Sequence, residues 1–241
     1  MSRIYSNSFF HYTDKEYKLK AILNKGFFGS YSNEQFKDNF GKIYHLYIPM
    51  VCFCDIPLNH IMKVTYGGFA IGMNRSWENR NNLSPISYFQ KNRDNHFFKY
   101  ICNIFTSYNN GNGDASDLRK ILGYVKPLSK FKEKGYAVNR RKDNYIEKEW
   151  RKIYLKNWMS SQQDMDNYDK VHHNKLFTIL NLKFHAKDVS FIIVPDDATK
   201  TNIINSIQSA TDIGGYKTSN INDKLNLISK IITIEEIQKN F

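Results

Sequence analysis

The 241-residue chain carries 35 Lys and Arg against 23 Asp and Glu, a net charge of +12, with 17 Phe and 16 Tyr in an aromatic fraction of 15%. That much bulky apolar surface excludes a wholly disordered chain and suits a packed body with a substantial core. The basic balance fits a polyanionic partner such as RNA or DNA, and is equally what an AT-rich coding sequence rich in Lys, Asn, Ile, Tyr and Phe produces.

The first element is a short β-type run, Phe9 to Tyr12. Thr13 with Glu16 reads as a capping box opening a helix whose apolar face is Leu19, Ile22 and Leu23, and Gly26 after Lys25 is its stop. A polar segment, Ser30 to Lys42, leads to "IYHLYIPMVCFC", nearly continuous in apolar residues, as a strand buried on both faces should be, with Pro49 marking an interruption or an edge. Asp55 and Pro57 suit a helix entry with Ile61 and Met62 inward, and Gly67-Gly68 break before a strand at Phe69 to Met73. Pro85 to Phe89 reads as another strand, and Asn92 to Tyr108 as a helix with Phe97, Ile101, Ile104 and Phe105 at helical spacing.

"SYNNGNGDAS" is a loop, "LGYVKPL" and "GYAV" are short strands, and "NRRKDN" is a basic loop. Residues 145–155, "YIEKEWRKIYL", fit either a helix pairing Glu147 with Arg151 or a strand that puts Glu147, Glu149 and Arg151 on one face; the periodicity leans to the helix. Leu176 to Phe184 and Val189 to Val194 read as strands, followed by a helix entered through Asp196 and Asp197. The close, "KIITIEEIQKNF", is a strand running into a helix with Thr233 and Glu236 as a capping box. The mixed order implies an α+β fold, a single domain over 1–241 with a split or mostly antiparallel central sheet and flanking helices.

Three cysteines, Cys52, Cys54 and Cys102, without a C-x-x-C pair argue for a reducing compartment, and the cytoplasm is the expectation. No apolar run approaches the ~20 residues of a bilayer span, and the N-terminus does not resemble a signal peptide. None of the seven histidines sits with Cys or acidic residues at zinc-ligand spacing, so no metal is expected. Phosphate-loop, dinucleotide and serine-hydrolase glycine motifs are absent from the sequence. What remains is His11-Tyr12-Thr13, the stretch Asp55 to Gly72, and Glu147-x-Glu149-Trp150-Arg151. The lone histidine, Tyr66 before two glycines and the charge alternation each also have an ordinary reading as packing or solvated surface.

In this order, "FFHYTDKEYKLKAILNKGF", "IPMVCFCDIPLNHIMKVTYGGFAIGMNRSW", "SPISYF" and "YIEKEWRKIY" resemble the AbiGi family of bacterial abortive-infection proteins, with "VCFCDIPL" the most specific piece. The order of motifs is also similar to ADP-ribosyltransferase-like domains, including DarT-like enzymes that modify nucleic acid. That resemblance implies NAD as co-substrate, no metal, and an ADP-ribosyltransferase-like fold. It implies Glu149 as the catalytic carboxylate, with Glu147 in reserve, beside a ribose whose transition state resembles an oxocarbenium ion. It further implies His11 as a neutral imidazole on a ribose hydroxyl, Tyr66 under the nicotinamide with Tyr12 or Phe53 as alternatives, and Thr13 and Asp55 lining the cofactor.

Arg151 would orient a glutamate or touch a phosphate, and Arg140, Arg141 and Lys142 would meet a nucleic-acid backbone. The function so implied is a toxin or effector of phage defence that modifies RNA or DNA and is restrained by a protein antitoxin. Because some AbiGi members are labelled antitoxins, the alternative is a non-catalytic antitoxin or sensor that binds nucleic acid or a partner protein.

Overall fold

The computed structural model describes residues 7–37, 43–58, 60, 68–90, 95–109, 121–128, 144–154, 181–218 and 220–240. The first half of the chain gives β1 (Ser8–Thr13), α1 (Glu16–Lys25), β2 (Phe27–Phe28), β3 (Ser30–Lys37), β4 (Ile43–Cys54), β5 (Phe69–Asn74), α2 (Arg75–Asn81), β6 (Ser84–Pro85), β7 (Ser87–Phe89) and α3 (His96–Asn109). The second half gives β8 (Val125–Pro127), β9 (Glu149–Ile153), β10 (Asn181–Leu182), β11 (Val189–Val194), α4 (Asp197–Ser209), β12 (Asp212–Ile213), β13 (Tyr216–Lys217), α5 (Ile221–Ile228), β14 (Ile231–Thr233) and α6 (Ile234–Asn240). The chain divides into two compact units, one of residues 1–28, 52–83 and 180–241 and one of 29–51 and 84–179. The architecture is α+β, and its described strands pair mostly antiparallel.

In the first unit β5 lies between β1 and β11, antiparallel to both, and β14 adds to β11 in parallel, Ile192 opposite Ile231. Alternation along β1 sends Phe10 and Tyr12 to one face and Phe9 and His11 to the other. Phe10 packs with Ala70, Ile193 and Ile237 of α6. Gly72, opposite Phe10, is required there: a Cβ would stand 2.7 Å from the Phe10 ring. The other face is aromatic, Phe27 lying 5.0 Å from Phe53, 5.4 Å from Trp77 and 5.4 Å from Phe184. Each fully buried aromatic of this kind stabilises the unit by roughly 1.5–3 kcal/mol.

Helix punctuation is partly as the sequence implies. Gly26, at φ 88°, ends α1 and donates its N–H to the Ile22 carbonyl. Asp196 caps α4 through the Thr199 N–H, and Thr233 and Glu236 form the reciprocal capping box of α6. The expected box at Thr13 and Glu16 is not formed. Thr13 is still in the β1 ladder opposite Phe69, and α1 starts from Lys15 with no side-chain cap.

In the second unit the polar stretch after Gly29 forms β3, eight residues antiparallel to β4 from Ser30–Met50 to Lys37–Ile43. Its polar composition hid a strand whose stability comes from the ladder and not from its own apolar content. β4 continues through Pro49 without the expected interruption, and the Pro49 carbonyl accepts the Tyr154 N–H. β9 follows β4 on the path and β6 pairs with β9, Ser84 opposite Arg151.

The helical leaning at 145–155 is corrected: a 3-10 turn at Asn144–Glu147 passes through Lys148, at φ 41°, into β9. In β9, Glu149, Arg151 and Ile153 are buried in alternation. α3 packs Phe98, Ile101 and Cys102 against Phe89, Leu122 and Val125. Phe97, expected inward, is 41% exposed, one position off the buried face. The expected helix at 61–62, "GYAV" and most of "NRRKDN" lie outside the described residues.

Candidate functional site

His11 is placed by β1 opposite Ile71 of β5. Its Nδ1 lies 2.8 Å from the Cys52 carbonyl oxygen. A carbonyl only accepts, so Nδ1 carries the proton and Nε2 is left as an acceptor. The ring is set edge-on to Phe27 at 5.2 Å and tilted against Phe53 at 5.5 Å. Burial in this apolar surround holds its pKa below the ordinary histidine value, against the opposing pull of the Cys52 carbonyl, and the imidazole is neutral at neutral pH.

The other residues expected around it diverge. Tyr12 is on the opposite face of β1, packed towards Cys54 and Ile56. Phe53 is fully buried in the aromatic cluster. Buried Asp55 accepts from Arg75 Nη2 at 3.0 Å, and that guanidinium also lies 4.7 Å over the Phe9 ring. Tyr66, Arg140, Arg141 and Lys142 lie outside the described residues.

The second unit brings Glu147, Glu149 and Arg151 together. Arg151, with a side chain 0% exposed, donates from Nε to Glu149 Oε1 at 2.7 Å and from Nη2 to Glu149 Oε2 at 3.2 Å. Its remaining donors reach the Gly123 carbonyl at 2.9 Å and Glu34 Oε1 at 2.9 Å. Lys126 completes the group, 3.0 Å from Glu149 Oε2 and 3.2 Å from Glu147 Oε2. Backbone and hydroxyl fix the strand end: the Tyr88 hydroxyl accepts the Glu149 N–H, and the Glu149 carbonyl accepts the Ile86 N–H. Alternation of β9 puts Glu149 and Arg151 on one face, since residues two apart in a strand share a face, while Glu147 reaches Lys126 from the preceding 3-10 turn.

The two carboxyls have opposite electrostatics. Burial alone would raise Glu149, but the adjacent Arg151 and Lys126 charges outweigh it and hold its pKa at about 2. Glu147 is pushed up to about 7 by burial and then by the negative charge of Glu149, with Arg151 opposing. One carboxylate is therefore ionised at neutral pH and neutralised in place, while its neighbour exchanges a proton near neutrality. Arg151 has no exposed guanidinium for a phosphate, and its geometry is that of a group orienting Glu149.

The sequence reading missed Glu34 and Lys126, which lie on β3 and β8, far from the E-x-E-W-R segment along the chain. No local signal marks them. Among the described residues no group of three or more His, Cys, Asp or Glu has metal-binding geometry, and no helix is long and apolar enough to cross a membrane.

Fold and site together define an α+β protein whose charged centre is a buried carboxylate and guanidinium network within a mostly antiparallel sheet. The family model described as "Putative abortive phage resistance protein AbiGi, antitoxin" matches residues 25–195, and the chain belongs to the AbiGi family of abortive phage resistance proteins. It is 24% identical over 229 residues to the abortive phage resistance protein AbiGi of Lactococcus lactis subsp. cremoris, covering 81% of this chain and 89% of that protein. No solved structure matches the chain.

Proposed function

We propose that this chain serves phage defence as an antitoxin, restraining a protein toxin by binding it and performing no NAD chemistry of its own. The single observation that carries this reading is the state of Glu149: both carboxylate oxygens are held by Arg151 and Lys126, and the residue is 5% exposed. A glutamate that stabilises a developing ribosyl cation must present an ionised oxygen to the sugar. Here that charge is already balanced by two cations in the protein. The antitoxin wording of the family model agrees with this reading.

A second reading, an NAD-dependent ADP-ribosyltransferase toxin acting on RNA or DNA, is favoured by Glu147. Two carboxyls whose environments drive their pKa values apart, here to about 7 and about 2, are the pattern of an acid and base pair. In that reading Glu147 faces the ribose and Glu149 stays ionised behind it. The breaking bond joins the ribose C1 to nicotinamide, which leaves with the electron pair, while a nucleophile on the acceptor takes its place and loses a proton to Glu147. Incubation of the purified chain with NAD labelled in its adenylate and with RNA, DNA and protein decides between them. The antitoxin reading predicts no transferred label; transfer that disappears in Glu147→Gln establishes the enzyme.

A further inference from the structure

A second charged surface lies in the first unit, where the β12–β13 hairpin closes on the end of α1 and on the chain leaving β10. The hairpin turns through Gly214 and Gly215, both at positive φ, 57° and 87°. Its backbone is anchored three times: Gly214 N–H to the Leu23 carbonyl, Gly215 N–H to the Asn24 carbonyl, and Phe184 N–H to the Gly214 carbonyl. Buried Ile213 adds an apolar anchor. The turn is therefore fixed without help from its exposed side chains.

On this fixed turn Tyr216 is 41% exposed, and its ring lies parallel to that of exposed His185, at 9° and 4.4 Å between centroids. His185 is held through its backbone, its carbonyl accepting the Asp188 N–H at 2.9 Å while its own N–H donates to Asp188 Oδ2. The Lys183 ammonium stands 5.2 Å from the centroid of Tyr216. Lys25, Lys183 and Lys217 are exposed at the hairpin, and Lys187, two residues after His185, is exposed as well. Lys25 and Lys183 flank Gly215 directly, at 2.8 Å for the Lys25 carbonyl and 3.0 Å for Lys183 Cγ from a built Cβ.

None of these four lysines forms an ion pair with a carboxylate among the described residues, unlike Lys18, Lys20, Lys200 and Lys239. The acidic neighbour on the hairpin, Asp212, lies opposite Lys217 in the ladder and takes a hydrogen bond from the Thr211 hydroxyl at 2.8 Å. An exposed, preoriented aromatic pair ringed by unneutralised ammonium groups is what an unpaired base and its flanking phosphates require.

The geometry points to the His185–Tyr216 stack and the lysines around it as a binding platform for single-stranded nucleic acid, the rings taking a base and Lys25, Lys183, Lys187 and Lys217 taking phosphates. This is independent of whether the chain acts as an antitoxin or as an enzyme, and it uses none of the residues of either reading.

The test is fluorescence anisotropy of the full chain with short labelled oligouridylate and oligothymidylate over a salt series, with circular dichroism confirming that each variant is folded. Tyr216→Ala weakens binding about tenfold, the loss of one stacked base. Tyr216→Trp retains it. Lys183→Glu with Lys217→Glu lowers the steepness of the salt dependence by roughly two phosphate contacts. The proposal is overturned if the wild type binds neither oligonucleotide, if Tyr216→Ala binds as the wild type, or if polyglutamate displaces the oligonucleotide as well as unlabelled oligouridylate does.

Discussion

Arg151 and Glu149 form a buried pair in which each partner neutralises the other's desolvation. Removing one alone leaves an uncompensated charge, so Arg151→Met is expected to cost about 3–5 kcal/mol, whereas Glu149→Gln combined with Arg151→Met recovers much of that loss. Urea unfolding of the two variants measures it, and equal losses would remove the claim that the pair is the source. The neighbouring carboxyl gives a pH signature of defined sign. Glu147 is raised from 4.5 to about 7, so the folded chain keeps a proton that the unfolded chain has released, and this residue's contribution falls as pH rises from about 4.5 to about 7. Glu149, lowered to about 2, contributes in the opposite sense, its stabilisation being lost as pH falls from about 4.5 to about 2. Unfolding free energy measured between pH of about 5 and about 7 should therefore slope less in Glu147→Gln than in the wild type; an unchanged slope would place the proton elsewhere.

Single elements are decided by caps and turns whose strengths differ. The Thr233 and Glu236 box is fully made, and Thr233→Ala should cost about 1 kcal/mol. Gly214→Ala should cost more, over roughly 2 kcal/mol, because φ is 57° and a Cβ would run into the Phe184 carbonyl oxygen. Thermal denaturation ranks the two variants. Elements with strong local periodicity were legible in the sequence: β1, β5, β11, α4 and the β14-to-α6 junction fall where apolar pattern and caps put them. Thr13 was misleading because a Ser or Thr three residues before a Glu marks a cap only if the strand has already ended, and β1 has not. Residues 145–155 were misleading because a short amphipathic segment satisfies both periods, and pairing along the sheet, which no local pattern contains, selects the strand.

On the scale of the whole molecule, the E-x-E-W-R segment was visible as a candidate site, but its meaning depends on Lys126 and Glu34, brought to it by β8 and β3. Their presence turns what reads as a free catalytic glutamate into a neutralised one. His11 is likewise a neutral ring among aromatics, bonded to a backbone carbonyl, which accounts for an ionisable group inside an apolar strand by packing and one hydrogen bond. The same scale carries the claim that the chain works by binding. Induced expression of the chain alone in a bacterial host, followed by growth rate, tests it most directly. Growth equal to that of the uninduced culture, unchanged by Glu147→Gln or Glu149→Gln, is the predicted result; growth arrest that either substitution abolishes would contradict it.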